Sequence, residues 1–163
     1  MLTLQFPSRL QVSRVLQHSE KFAGLKEMTL CILTYWKRRI RFVALVLKAA
    51  PLVETLKLKV QGYLRQKELN IRWPQNFTAT SLRTFSIEGF GGESELVQLF
   101  FFLLRRSPVL KTLIIDTARV KYLRLGEWEI KRSEYAMRRN FAREVAQTRL
   151  APNVPSAVKP SIM

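Results

Sequence analysis

This 163-residue chain has almost no soft metal ligands: one cysteine, Cys31, and one histidine, His18. A single thiol forms no intrachain disulfide, which excludes a disulfide-stapled secreted scaffold. One thiol and one imidazole also fall short of the four ligands of a Cys/His zinc site. Acidic residues are scarce as well, 12 Asp+Glu against 28 Lys+Arg, for a formal net charge of +16. Long apolar runs are missing. The longest, residues 96–104 (broken by Gln98) and 42–47, are far short of the ~20 residues of a membrane helix. The first residues, Met-Leu-Thr-Leu-Gln-Phe-Pro, lack the basic start and apolar stretch of a signal peptide. What remains is 47% hydrophobic, enough to bury a core. The expectation is one strongly basic domain, in a reducing cytoplasmic and/or nuclear setting, with no membrane and no cofactor.

What is present is a repeat. Residues 25–60 and 82–117 align without a gap at an offset of 57: Leu25 meets Leu82, Leu47 meets Leu104, Pro51 meets Pro108 and Leu56 meets Leu113. The offset divides again. Four stretches fit L-x-x-L-x-L with apolar substitutes: Leu25/Met28/Leu30, Val53/Leu56/Leu58, Leu82/Phe85/Ile87 and Leu110/Leu113/Ile115. Leu2 and Leu4 make a fifth half-match. Starts spaced 28, 29 and 28 residues apart, with this pattern, are the spacing of leucine-rich repeats. The last two apolar positions of each match are two residues apart, so they share one face of a strand. Residues 40–50 and 96–106 carry apolar residues at helical spacing, and Pro51 and Pro108 end them. The spacing predicts an α/β fold: a short leucine-rich-repeat solenoid of parallel strands with helical crossovers and a C-terminal helical cap. Strands are expected near 2–6, 26–32, 54–60, 83–89 and 111–116, within repeats over 1–117, with cap and tail over 118–163. Leu69, Ile71 and Trp73 alternate as an extra strand would, and residues 130–150 read as a closing helix with Tyr135, Ala142, Val145 and Ala146 inward.

The alternation also assigns an outward, concave face. Its expected partner-binding residues are Glu27, Thr29, Thr55, Lys57, Lys59, Thr84, Ser86, Glu88, Thr112 and Asp116. Cys31 falls on the same face beside Lys59, whose charge is expected to lower the thiol pKa. Without a nearby histidine base the thiol is not read as a nucleophile. Lys37, Arg38, Arg39 and Arg41 form a basic patch at a turn, suited to nuclear import or to an acidic partner. Glu88-Gly-Phe-Gly-Gly-Glu-Ser-Glu lacks the lysine and spacing of a phosphate loop; it reads as a strand-to-helix turn capped by Ser94. Residues 1–60 hold 11 basic and 3 acidic side chains and residues 118–163 hold 10 and 4, so both ends are basic. No constellation for catalysis emerges.

Two stretches, Ala49-Ala-Pro-Leu-Val-Glu-Thr-Leu-Lys-Leu and Leu82-Arg-Thr-Phe-Ser-Ile-Glu-Gly-Phe-Gly-Gly-Glu-Ser-Glu-Leu-Val, resemble the leucine-rich and FBD region of plant F-box/FBD/LRR proteins. Ser107-Pro-Val-Leu-Lys-Thr-Leu-Ile-Ile-Asp is similar to the second FBD strand, and Ala142-Arg-Glu-Val-Ala to its closing helix. The resemblance implies a non-enzymatic protein-recognition domain of substrate-receptor type. The F-box itself, the helical module that docks on a Skp adaptor, finds no match here, so no direct Skp-adaptor binding is expected. The implied partner is a protein, acidic by the +16 charge. The alternatives are a basic nucleic-acid-binding protein, whose binding would weaken log-linearly with salt, and a truncated fragment without independent function.

Overall fold

In a computed structural model that describes residues 2–6, 22–32, 40–60, 69–117 and 128–163, the chain forms one parallel sheet crossed by helices. The elements are β1 (Leu2–Phe6), β2 (Glu27–Ile32), α1 (Phe42–Ala49), β3 (Thr55–Val60), β4 (Thr84–Glu88), α2 (Ser94–Arg106), β5 (Thr112–Asp116), α3 (Trp128–Val145) and β6 (Lys159–Ile162). Spatial order equals chain order, β1 to β6, and each neighbouring pair is parallel. That is the stacking of a solenoid, in which each repeat contacts its neighbours. The register follows the repeat: Met28 pairs with Leu56, Leu56 with Phe85 and Phe85 with Leu113.

The alternation acts as expected. Met28, Leu30, Leu56, Leu58, Phe85, Ile87, Leu113 and Ile115 are buried, and the residues between them are half-buried. The buried row joins Val43, Ala44, Val46 and Leu47 of α1 and Leu96, Leu99, Phe100 and Leu103 of α2 in one core. Burying such side chains contributes about 1.5–3 kcal/mol each relative to exposure. Backbone hydrogen bonds extend the ladder one residue upstream of β3, β4 and β5: the Glu54, Arg83 and Lys111 amides donate to the carbonyls of Lys26, Glu54 and Arg83, and Lys159, the first residue of β6, donates to Lys111.

Four expectations need correction. The sheet has six strands rather than five, because the tail supplies β6 beside β5. The tail is therefore part of the repeat sheet as well as its cap. The Met163 amide donates to the Ile115 carbonyl, and the Thr117 amide and hydroxyl both donate to the Met163 carbonyl. Leu69, Ile71 and Trp73 form no strand. The segment is an irregular strap whose backbone is satisfied by side chains of α2: the Leu69 amide donates to Glu95 Oε1 (2.8 Å), and Gln98 bonds both the Leu69 carbonyl and the Ile71 amide. Ser94 is the first helical residue of α2 rather than its cap. Glu93 stands at the cap position in extended conformation, and its carboxylate accepts from the Gly91 amide at 3.0 Å. The glycines do supply left-handed backbone, at Gly89 (φ 87) and Gly92 (φ 82). The thiol of Cys31, on the open face of the sheet, is the fourth difference.

In the closing helix, Ala142, Val145 and Ala146 are buried as expected. The helix continues past α3 as a π-turn over Ala146–Leu150.

Candidate functional site

The outward side chains fall into rows that run across the sheet. Glu27, Thr55, Thr84, Thr112 and Lys159 share one register row; Thr3, Thr29, Lys57, Ser86, Ile114 and Ser161 share the next. The third holds Gln5, Cys31, Lys59, Glu88 and Asp116. Strands ~4.8 Å apart make each row a continuous stripe. The structure thus brings all ten expected face residues onto one surface.

Charge on that surface is organised around one carboxylate. Glu88 Oε2 lies 3.0 Å from Lys57 Nζ and 3.2 Å from Lys59 Nζ. Lys59 is its register partner; Lys57 reaches it along the diagonal. Burial pushes the Glu88 pKa up, but the hydrogen bonds and charges of the two lysines outweigh it, and the carboxyl is held below its ordinary value. The two lysines that sequence reasoning offers to an acidic partner are thus already engaged within the sheet. Glu54 repeats the arrangement at the strand starts, 3.5 Å from Lys26 Nζ and 3.9 Å from Arg83 Nε.

The expected depression of the Cys31 thiol is overturned. Its largest influence is burial, which favours the neutral thiol; Lys59 and Lys57 pull the other way, Glu88 reinforces burial, and the net pKa is raised. The proximity of lysine was read correctly, and the desolvation was not visible in the sequence. Of the basic patch, Arg41 is described: it is exposed at the start of α1, with its guanidinium 5.4 Å from the Phe42 ring centre. Lys37, Arg38, Arg39 and His18 lie outside the described residues. Among the described residues no three His, Cys, Asp or Glu side chains gather as metal ligands would, and no helix is long and apolar enough to cross a membrane.

Comparison with known proteins bears on the repeat directly. The model of the family described as At1g61320/AtMIF1, LRR domain, matches residues 1–163. The chain belongs to this leucine-rich-repeat family. No curated protein and no solved structure matches it. The match agrees with the parallel sheet, the L-x-x-L-x-L strand register and the helical crossovers. As a leucine-rich-repeat domain the chain is of a type that commonly mediates protein–protein contact.

Sequence reasoning missed Glu95. It falls at the end of the strand-to-helix turn read over residues 88–95, yet it is fully buried and anchors the strap at Leu69. No periodicity marks it, since burial there depends on a segment 26 residues away.

Proposed function

We propose that this chain is a non-enzymatic protein-recognition domain, substrate-receptor-like in the manner of plant F-box/LRR proteins. Its open sheet face carries the contact, and it works in the cytoplasm and/or the nucleus. The observation that supports this reading is the face itself. Side chains of every strand from β2 to β5 form continuous, half-exposed, mostly polar rows on a fully paired parallel sheet. Rows whose backbone is already ordered by strand pairing cost less ordering entropy on association than a loop would, which favours specific contact. Glu27, Thr29, Thr55, Thr84, Ser86 and Thr112 offer hydroxyls and carboxylates for a polar rim. Lys57, Lys59, Glu88 and Asp116 offer a charge pattern that a partner must match.

The FBD-like turn at residues 88–95 supports the F-box/LRR context, and without an F-box match the proposal includes no direct grip on a Skp adaptor. The experiment is co-purification from plant extract with the wild-type chain and with Lys57→Glu/Lys59→Glu. That variant leaves three carboxylates together where two lysines balanced Glu88. A specific partner retained by wild type and lost by the variant, with circular dichroism unchanged, supports the reading. Equal retention by both overturns the open face as the contact. Direct capture of a purified Skp adaptor by the full chain overturns the statement about docking.

A further inference from the structure

The helix side of the molecule carries a second feature that the open-face reading does not use. Between the strap at residues 69–77 and α2 lies a cavity of about 350 Å³. Its wall is aromatic: Trp73 stacks on Phe102 with ring centres 4.7 Å apart, and Phe102 stacks in turn on Phe77 at 5.5 Å. Phe101 lines it from the preceding helical position. Gln98 lines it too, and holds the strap in place through its bonds to Leu69 and Ile71, so the cavity is fixed at both walls. Arg105 and Arg106 stand at the rim.

The charge at this rim is one-sided. No acidic side chain lines the cavity, and among the described residues neither guanidinium has an ion-pair partner. Two arginines at a helix end complement its dipole, which accounts for their sign but not for the preformed aromatic floor beside them. Aromatic residues and arginine are the side chains that dominate protein-contact energetics. The volume is at the lower end of the range for enclosed ligands, about 300–1,000 Å³, and suits one large side chain rather than an extended cofactor. Sequence reasoning singled out Leu69, Ile71 and Trp73 as an alternating stretch without a role. In the fold, that stretch becomes the cavity's outer wall.

We propose that this cavity is a second docking site, which takes an aromatic side chain of a protein partner whose flanking residues are acidic. The ring packs against Trp73 and Phe101, since Trp73 and Phe77 already stack on the buried Phe102, and the flanking carboxylates pair with Arg105 and Arg106, where bidentate geometry is available. The site is on the opposite side of the core from the open face and stands independently of that face's role.

The test uses the full chain and a fluorescein-labelled peptide with a central Phe between two runs of three Asp, followed by fluorescence anisotropy. Two companions replace the Phe with Ala or every Asp with Asn. The Phe/Asp peptide is expected to bind and to weaken as salt rises. Each companion should lose about tenfold or more, the size of one good contact. Arg105→Glu/Arg106→Glu should abolish binding, and Arg105→Gln/Arg106→Gln, which keeps length and removes charge, should fall between. Lys57→Glu/Lys59→Glu should bind like wild type, which separates this site from the open face. The proposal is overturned if the Phe/Asp peptide fails to bind at about millimolar concentration, the weakest affinity of interest. It is equally overturned if the Asn peptide binds as well, if the folded Gln variant binds undiminished, or if the open-face variant loses binding in parallel.

Discussion

Residues 25–60 and 82–117 are two copies of one plan, and their described residues differ most in the length of the helix. In the second copy Gly89 and Gly92 adopt left-handed backbone, and β4 ends one residue before β2 does at the equivalent position. The amides of Gly89 and Phe90 donate to the Asp116 carbonyl, which buries Phe90 completely and fastens the turn to the next strand. α2 then runs for 13 residues. In the first copy α1 has 8, and Arg41, already in helical conformation at its N-cap position, makes no capping hydrogen bond. The lesson is that the repeat fixes strand spacing, while the amount of helix laid over the core varies from unit to unit.

The comparison can be pressed hardest in the core. Phe85 and Met28 occupy equivalent, fully buried positions. Phe85→Ala is expected to destabilise by about 3–5 kcal/mol and Met28→Ala by about 2–5 kcal/mol, as buried large-to-small changes do. In the helices, Leu103→Ala should cost more than Val46→Ala at the equivalent position, since more carbons are withdrawn. Urea midpoints at constant slope measure both pairs, and a larger loss at Val46 would mean that α1 is the better-packed helix.

Gly92 has no counterpart of its kind in the first copy, where the aligned residue is Tyr35. A Cβ there would meet Phe141 Cε1 at 3.0 Å and Val145 Cγ2 at 3.2 Å, at a φ of +82. Gly92→Ala should cost about 1–3 kcal/mol, from left-handed strain plus a displaced α3. A thermal melt within a degree of wild type would show that α3 yields freely at this contact.

Ser107 offers the reverse case. Its Oγ is buried without a hydrogen-bond partner, and the first copy has buried Ala50 at the same position. Ser107→Ala should therefore stabilise by about 1 kcal/mol, the relief of an unsatisfied polar group. A loss of stability would reveal a partner for that hydroxyl.

The smallest effect is expected at Glu88, whose folded-state pKa is lowered by Lys57 and Lys59. A depressed carboxyl contributes stability above its unfolded pKa of about 4.3, and loses it as pH falls through the folded value. These groups are partly exposed, so the contribution is about 0.2–1 kcal/mol. Glu88→Gln should narrow the gap between stability at pH 6 and at pH 3 by that amount. An unchanged acid limb would assign acid sensitivity to other carboxylates.

Strand positions were legible because a buried parallel sheet imposes period-two burial, and Met28/Leu30, Leu56/Leu58, Phe85/Ile87 and Leu113/Ile115 satisfy it without exception. The open-face rows follow by the same alternation. β6 was not legible. Lys-Pro-Ser-Ile has no apolar alternation to detect and is mostly exposed; it becomes a strand because β5 offers an edge and the Met163 and Thr117 bonds hold it there. The strap misleads for a related reason. Its alternation is genuine, but Glu95 and Gln98 satisfy its backbone in place of a neighbouring strand. Pairing within the open face was only half legible, since a shared register row sets Lys59 beside Glu88 while the diagonal reach of Lys57 depends on side-chain length.

β6 also gives the array a direction. The Lys159 and Met163 amides donate inward to β5, so by alternation the residue after Lys159 would point its amide away from the sheet. That residue is Pro160, which has no N–H to offer. Tandem duplication, the ordinary way a repeat gene lengthens, therefore meets a terminator on this flank: a strand copied beyond β6 would find a missing donor and a lysine where it needs a template. A repeat inserted upstream of β6 meets no such gap in its donors, so added units should be tolerated better there than against the outer edge of β6.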